Sequence, residues 1–229
     1  MFEKFAIWFI IFMIYSFCGW IAEVIVSIVM HHKFINRGFL LGPICPIYGV
    51  GAVAFSLLFS WLDNPWLIFL TGFICGAILE YFTSFILEKL FHVRWWDYSK
   101  FYFNLNGRIC LHCLLCFALV ALIVHYFTTP WLYNLLEGLY SPILITIASG
   151  LATWLVIDII ISLWLMFGVR VTAGMVNHGE DDTEMISRRM HEALMNKGKL
   201  HRRMAKAFPN QTPSKKQPRK RQKSAKRKA

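Results

Sequence analysis

Three acidic side chains, Glu23, Glu80 and Asp158, lie deep inside apolar stretches of this chain. An ionised carboxylate in hydrocarbon costs several kcal/mol, so each must face a protein interior or a wet cavity, or carry a proton. Their neighbours at helical spacing are polar too. Ser16, Gly19, Glu23 and Ser27 fall on one helix face; Glu80, Ser84 and Glu88 follow at every fourth position; Asp158 and Ser162 share another face. Residues four apart stack on one side of a helix, so these are polar stripes that should face one another in a bundle. Counted from the ends of their runs, Glu23 lies about 10 Å deep, Glu80 about 14 Å and Asp158 about 18 Å, all toward one side of a bilayer. Arg37, Arg94 and Arg108 come from connections on that same side. Such a cluster has two possible uses. The arginines can pair with the acids and fix the packing. Alternatively, the cluster binds an ion, a proton or a polar solute. The candidate binding residues are Glu23, Arg37, Glu80, Glu88, Asp97, Asn104, Arg108 and Asp158.

The elements that must position these groups follow from composition. Hydrophobic residues make up 57% of the chain and charged residues 16%, well below the charged share of a soluble domain. Five apolar runs are long enough to cross a bilayer about 30 Å thick as helices: Phe5–Met30, Cys45–Leu62, Trp66–Leu87, Ile109–Phe127 and Ile143–Phe167. The expected fold is therefore all-α, a polytopic membrane helix bundle of about five transmembrane helices. Lys and Arg gather in the 31–42 and 89–108 connections and in the tail, while the connections around Asp63–Pro65 and Thr128–Ser141 have none. The positive-inside rule then puts the N-terminus out and the C-terminus in, with Trp61, Trp66, Trp131 and Tyr140 as an outer aromatic belt. The first run is too long for a signal-peptide core and reads as a first span.

The second run begins oddly, with the helix breakers of Gly42-Pro43-Ile44-Cys45-Pro46. A re-entrant or broken helix lining a cavity would explain them; so would an ordinary tight turn with Pro46 in the first helical turn, which the residues favour slightly. The stretch from Phe91 to Leu111 is too polar to span and too aromatic for a free loop. Its rings suit the headgroup level, as a plug, elbow or lid.

The formal net charge of +11 belongs to the tail. Residues 1–179 hold eight basic and eight acidic residues, whereas Ser214–Ala229 alone hold nine basic ones and no acid. The expected organisation is a transmembrane domain over 1–170, a cytoplasmic amphipathic helical segment over 171–208, and a disordered polybasic tail over 209–229. Beside an anionic inner leaflet, that tail is expected to bind anionic lipid, with nucleic acid as the second choice. The run Cys110-Leu111-His112-Cys113-Leu114-Leu115-Cys116 fans its thiols around more than one helix face and reads as helix packing, so no metal and no cofactor is expected. No catalytic spacing and no phosphate-binding G-x-x-x-x-G-K-[ST] loop occurs, so the chain is expected to be neither an enzyme nor its own ATPase.

Several segments carry a family resemblance. They are Gly19-Trp20 with Glu23, Asn36-Arg37-Gly38-Phe39-Leu40, Gly42-Pro43, Pro46-Ile47-Tyr48-Gly49, Leu79-Glu80-Tyr81, Leu87-Glu88-Lys89-Leu90-Phe91, Trp95-Trp96-Asp97-Tyr98-Ser99 and Phe103-Asn104-Leu105-Asn106-Gly107-Arg108-Ile109-Cys110-Leu111. In this order they resemble the ABC-transporter type IV family, or CmpB-like permeases, of bacterial integral membrane proteins. The resemblance implies a multi-pass protein of the bacterial inner membrane, a permease working with a separate ATPase. Five helices are few for a pore, so transport would need a homo-oligomer or partner subunits. The competing expectation is a non-transporting membrane scaffold or regulator, with a structural cluster and a tail that recruits partners.

Overall fold

The computed structural model describes residues 1–32, 38–91, 93–94, 96–99, 101–176, 192–196, 198–207 and 212–213. Arg37 and the Ser214–Ala229 tail, both singled out above, lie outside the described residues. The bundle is built from α1 (Phe2–His31), α2 (Pro46–Leu58), α3 (Pro65–Phe91), α4 (Leu111–Ile123), α5 (Thr129–Glu137) and α6 (Ser141–Val176). Between α3 and α4 lie three two-residue strands: β1 (Val93–Arg94), β2 (Asn104–Leu105) and β3 (Ile109–Cys110). A helical stretch at 192–196 (α7), then α8 (Lys199–Ala207) and β4 (Thr212–Pro213), follow α6.

Among the described residues, four helical stretches are long and apolar enough to cross a membrane: Phe2–Val29, Pro65–Phe91, Leu111–Glu137 and Ser141–Phe167. The fold is thus an all-α membrane helix bundle. The second expected span is different. Helix α2 has 13 residues, which at 1.5 Å per residue is about 20 Å, short of a bilayer's apolar core. The irregular segment 38–45 precedes it, and the Cys45 N–H donates to the Ser16 carbonyl at 2.8 Å. Ser16 is at the midpoint of α1, so non-helical backbone reaches the middle of the bundle. Pro46 stands in the first turn of α2, as the simple-turn reading expected, but the irregular backbone before it lies deep beside α1. Irregular backbone at that depth is tolerated only when protein satisfies its polar groups.

The fourth span also departs from expectation. Residues 128–137, expected as a connection, are helical. Pro130 cannot donate to the helix ladder and its ring crowds the carbonyl four residues back. The chain widens to a π-turn over Val124–Thr128, where the Thr129 N–H reaches the Val124 carbonyl, and continues as α5. Only Gly138–Tyr140 remain as a link to α6. The Asp63 turn is fastened by the Asn64 side chain, which accepts the Trp66 N–H at 2.9 Å with Pro65 as the first helical residue. Trp61, Trp66, Trp131 and Tyr140 are all exposed around these two turns.

Helix α1 packs on α2, α5 and α6, and α3 packs on α4, with α2 between the two groups. Near the N-terminal half of α1, Ile7, Ile10 and Ile11 meet Leu132, Leu136 and Leu144. Further along, Met13 and Leu155 close on Leu40 and Ile44 of the irregular segment. Gly19 and Gly49 let α1 and α2 touch: a Cβ on Gly19 would enter the Tyr48 ring, and one on Gly49 would enter Ser16 and Phe12.

Candidate functional site

The polar stripes sort into three groups. In the first, Glu23 from α1 meets Tyr48 from α2, whose hydroxyl donates to Glu23 Oε1 at 2.7 Å. Glu80 from α3 is close enough to Glu23 for their charges to act on one another, and it accepts a hydrogen bond from Tyr98 of the elbow. Tyr98 also reaches Cys113 on α4. Burial, then the Glu80 charge, pushes the Tyr98 hydroxyl above its ordinary range, so it stays a donor. Glu80 is only 6% exposed. Its Oε2 has no hydrogen-bond partner, and neither does the fully buried Ser27 Oγ one turn from Glu23. Buried polar atoms are nearly always satisfied, so these two orphans, one on the Glu23 stripe and one on the Glu80 stripe, are notable.

In the second group, Asp158 of α6 holds the irregular segment. Its Oδ1 accepts the Leu41 N–H at 3.0 Å and its Oδ2 the Gly42 N–H at 2.8 Å. Ser162 Oγ, which bonds Asp158 at 3.2 Å, also accepts from Leu41. A side chain at position 42 would crowd this carboxylate, since a Cβ there would lie 2.7 Å from Oδ2. Arg203 of α8 approaches from the other direction and donates Nη2 to the Leu40 carbonyl at 2.8 Å. One peptide unit, 40–41, therefore has a guanidinium at its oxygen and a carboxylate at its N–H, the signs its dipole prefers. Burial lowers the Arg203 pKa from its ordinary value, and the Asp158 charge opposes that shift.

The third group ties the elbow to α3. Arg108, 9% exposed, forms an ion pair with Glu88 at 2.8 Å and donates to Ser84 Oγ at 3.2 Å. Its guanidinium lies over the Tyr81 and Phe85 rings. The β2–β3 hairpin presents it: Asn106 and Gly107 both have positive φ, and the Arg108 N–H closes the turn on the Leu105 carbonyl at 3.0 Å. Asn104 accepts the Gly107 N–H at 3.0 Å and donates to the Phe101 carbonyl at 2.7 Å, so it knits this hairpin. Asp97 is exposed and accepts the Ser99 N–H at 2.9 Å in a local turn.

Glu23 and Glu80 thus lie near enough for their charges to act on one another; Glu88 and Arg108 come together; Asp158 is engaged with the 41–42 backbone; Asp97 and Asn104 serve the elbow. Sequence reasoning did not single out Tyr48, Tyr98 or Arg203. Tyr48 and Tyr98 stood inside quoted motifs, but a ring with a hydroxyl is equally at home at a membrane interface. Arg203 carried no local signal, because its partner is 163 positions away. Cys110 and Cys113 are adjacent, with sulfurs 3.0 Å apart, while Cys116 is exposed. Among the described residues no group of three or more His, Cys, Asp or Glu could hold a metal ion.

Long apolar helices, a shorter one between them and charges sealed inside define a multi-pass, permease-like membrane protein. The chain belongs to the family described as "Putative ABC-transporter type IV", whose model matches residues 10–163. No curated protein and no solved structure matches it.

Proposed function

We propose that the protein is the membrane subunit of a transporter in the bacterial cell membrane that works with a separate ATPase. The carboxylates of Glu23 and Glu80 bind its ion or polar solute from the cytoplasmic side. The family supplies the transporter class. The observation that carries the site is the orphaned Glu80 Oε2. Glu88 and Asp158 have structural tasks, at Arg108 and at the 41–42 backbone. Among the described residues no cation pairs with Glu80. A carboxylate sealed in this way is costly unless a ligand or proton completes it. In this reading the N-terminus is outside, residues 1–170 are the working membrane domain, 171–208 are cytoplasmic, and the 209–229 tail binds anionic lipid in preference to nucleic acid. Oligomerisation would complete a pathway that so few helices cannot enclose.

The second reading is a non-transporting scaffold, favoured by the two structural tasks just named. A thermal-shift screen of purified protein separates them, using sodium, potassium, magnesium and calcium chlorides, choline and glycine. At 100-fold the dissociation constant a ligand adds about 2.7 kcal/mol, roughly 5–10 °C for a chain of this size. At least one solute should raise the melting temperature of the natural protein, and Glu80→Gln should fold but lose that shift. Equal shifts in both proteins would remove Glu80 from the site, and no shift with any solute would favour the scaffold.

A further inference from the structure

We infer that α8 is a lid over the broken segment, with Arg203 as its latch, so that docking of the C-terminal helix controls cytoplasmic access to the Glu23–Glu80 site. This rests on the proposed site and adds its regulation.

Three observations carry it. First, the latch is a hydrogen bond from a charged side chain to the backbone of the irregular segment. Arg203 is partly buried, donates to the Leu40 carbonyl at 2.8 Å, and lies close enough to Asp158 and Cys45 for their charges to act on it. Second, the helical stretch just before α8 is anchored by packing, since Leu194 is fully buried, and α8 itself contacts α6. Third, Cys45 links lid and site. It is 7% exposed, caps α2, and senses the charges of both Glu23 and Arg203. Its N–H is tied to Ser16 of α1, and Tyr48, three residues further on, bonds Glu23, so the segment that Arg203 holds leads directly into the Glu23 side of the site. A surface helix that merely rested on the bundle would not need to place its guanidinium on intramembrane backbone. Opening transfers Arg203 to water, where it is well solvated, and leaves Leu40 and Asp158 facing a wet cleft. The exchange is therefore reversible, unlike loss of a packed apolar contact.

The test uses the native cysteines. The full-length protein is treated with N-ethylmaleimide, and modification of Cys45 is followed over time by peptide mass spectrometry. Cys110, 1% exposed and distant in sequence from the lid, reports general loosening. Arg203→Gln is expected to raise the Cys45 rate at least about tenfold and leave Cys110 unchanged, as local opening requires. Arg203→Lys, which keeps the charge but loses the planar fork, should fall between. An unchanged Cys45 rate in Arg203→Gln would overturn the lid, and so would a parallel rise at Cys110. The readout needs neither transport nor ligand. If no solute ever binds and Cys45 still opens as stated, the proposed function fails while the lid stands; the reverse result leaves the site without this lid.

Discussion

Asp158→Ala will destabilise the protein by about 3–5 kcal/mol, since each hydrogen bond to a buried charged group contributes about 1.5–3 kcal/mol. The carboxylate satisfies two N–H groups of the irregular segment, at 3.0 and 2.8 Å, and faces the charge of Arg203. Alanine leaves the Gly42 N–H with no acceptor from α6, and only Ser162 remains for Leu41. Each buried N–H stranded in this way costs about 1–3 kcal/mol. Asparagine keeps one acceptor oxygen, so Asp158→Asn should lose roughly half as much. Urea unfolding in detergent, compared across the three proteins, measures both. Equal midpoints for alanine and natural protein would mean that something else holds the broken segment. Ser162→Ala belongs in the same series, since its hydroxyl touches both Asp158 and Leu41.

Arg108→Ala is the second large effect, a loss of about 3 kcal/mol. It strands the Glu88 carboxylate, frees Ser84 and removes the guanidinium from the Tyr81 and Phe85 rings. The elbow should then loosen from α3, left held there by the Asn106 bond to the Tyr81 hydroxyl and by Tyr98 at Glu80. A specific rescue distinguishes the pair from general packing. Replacing both partners, Arg108→Met with Glu88→Leu, puts apolar groups of similar size where two charges stood, an exchange that is often neutral or better. The double variant should regain most of the lost stability. If it melts as low as Arg108→Ala, the ion pair is not what ties the elbow to α3.

How much of this was legible beforehand depends on where the information lies along the chain. Apolar length and i+4 spacing are local, so the long helices, the Glu80–Ser84–Glu88 face and the Asp158–Ser162 face could be read directly. The breakers at 42–46 were visible, but their depth was not. Depth is set by one backbone bond from Cys45 to Ser16, which no local pattern encodes. The stretch after Thr128 was expected as a connection, yet a π-turn carries the helix on through Pro130. The sequence also could not assign partners. Opposite charges at one depth invited a single mixed cluster, whereas the fold divides them: Arg108 to Glu88, Arg203 beside Asp158, Glu23 beside Glu80. That division turns on which loop returns to which helix. A residue as remote as Arg203 enters only once the C-terminal segment is placed.

The claim on which the site depends is that Glu23 and Glu80, from separate helices, share one buried environment. A double-mutant cycle on unfolding free energy, with Glu23→Gln, Glu80→Gln and both together, tests it without a known ligand. Two carboxylates in one pocket repel, so neutralising either relieves the other and the second replacement gains less than the first. The coupling should be at least about 1 kcal/mol. Additivity to within about 0.3 kcal/mol, the behaviour of independent positions, would mean that the two groups do not meet.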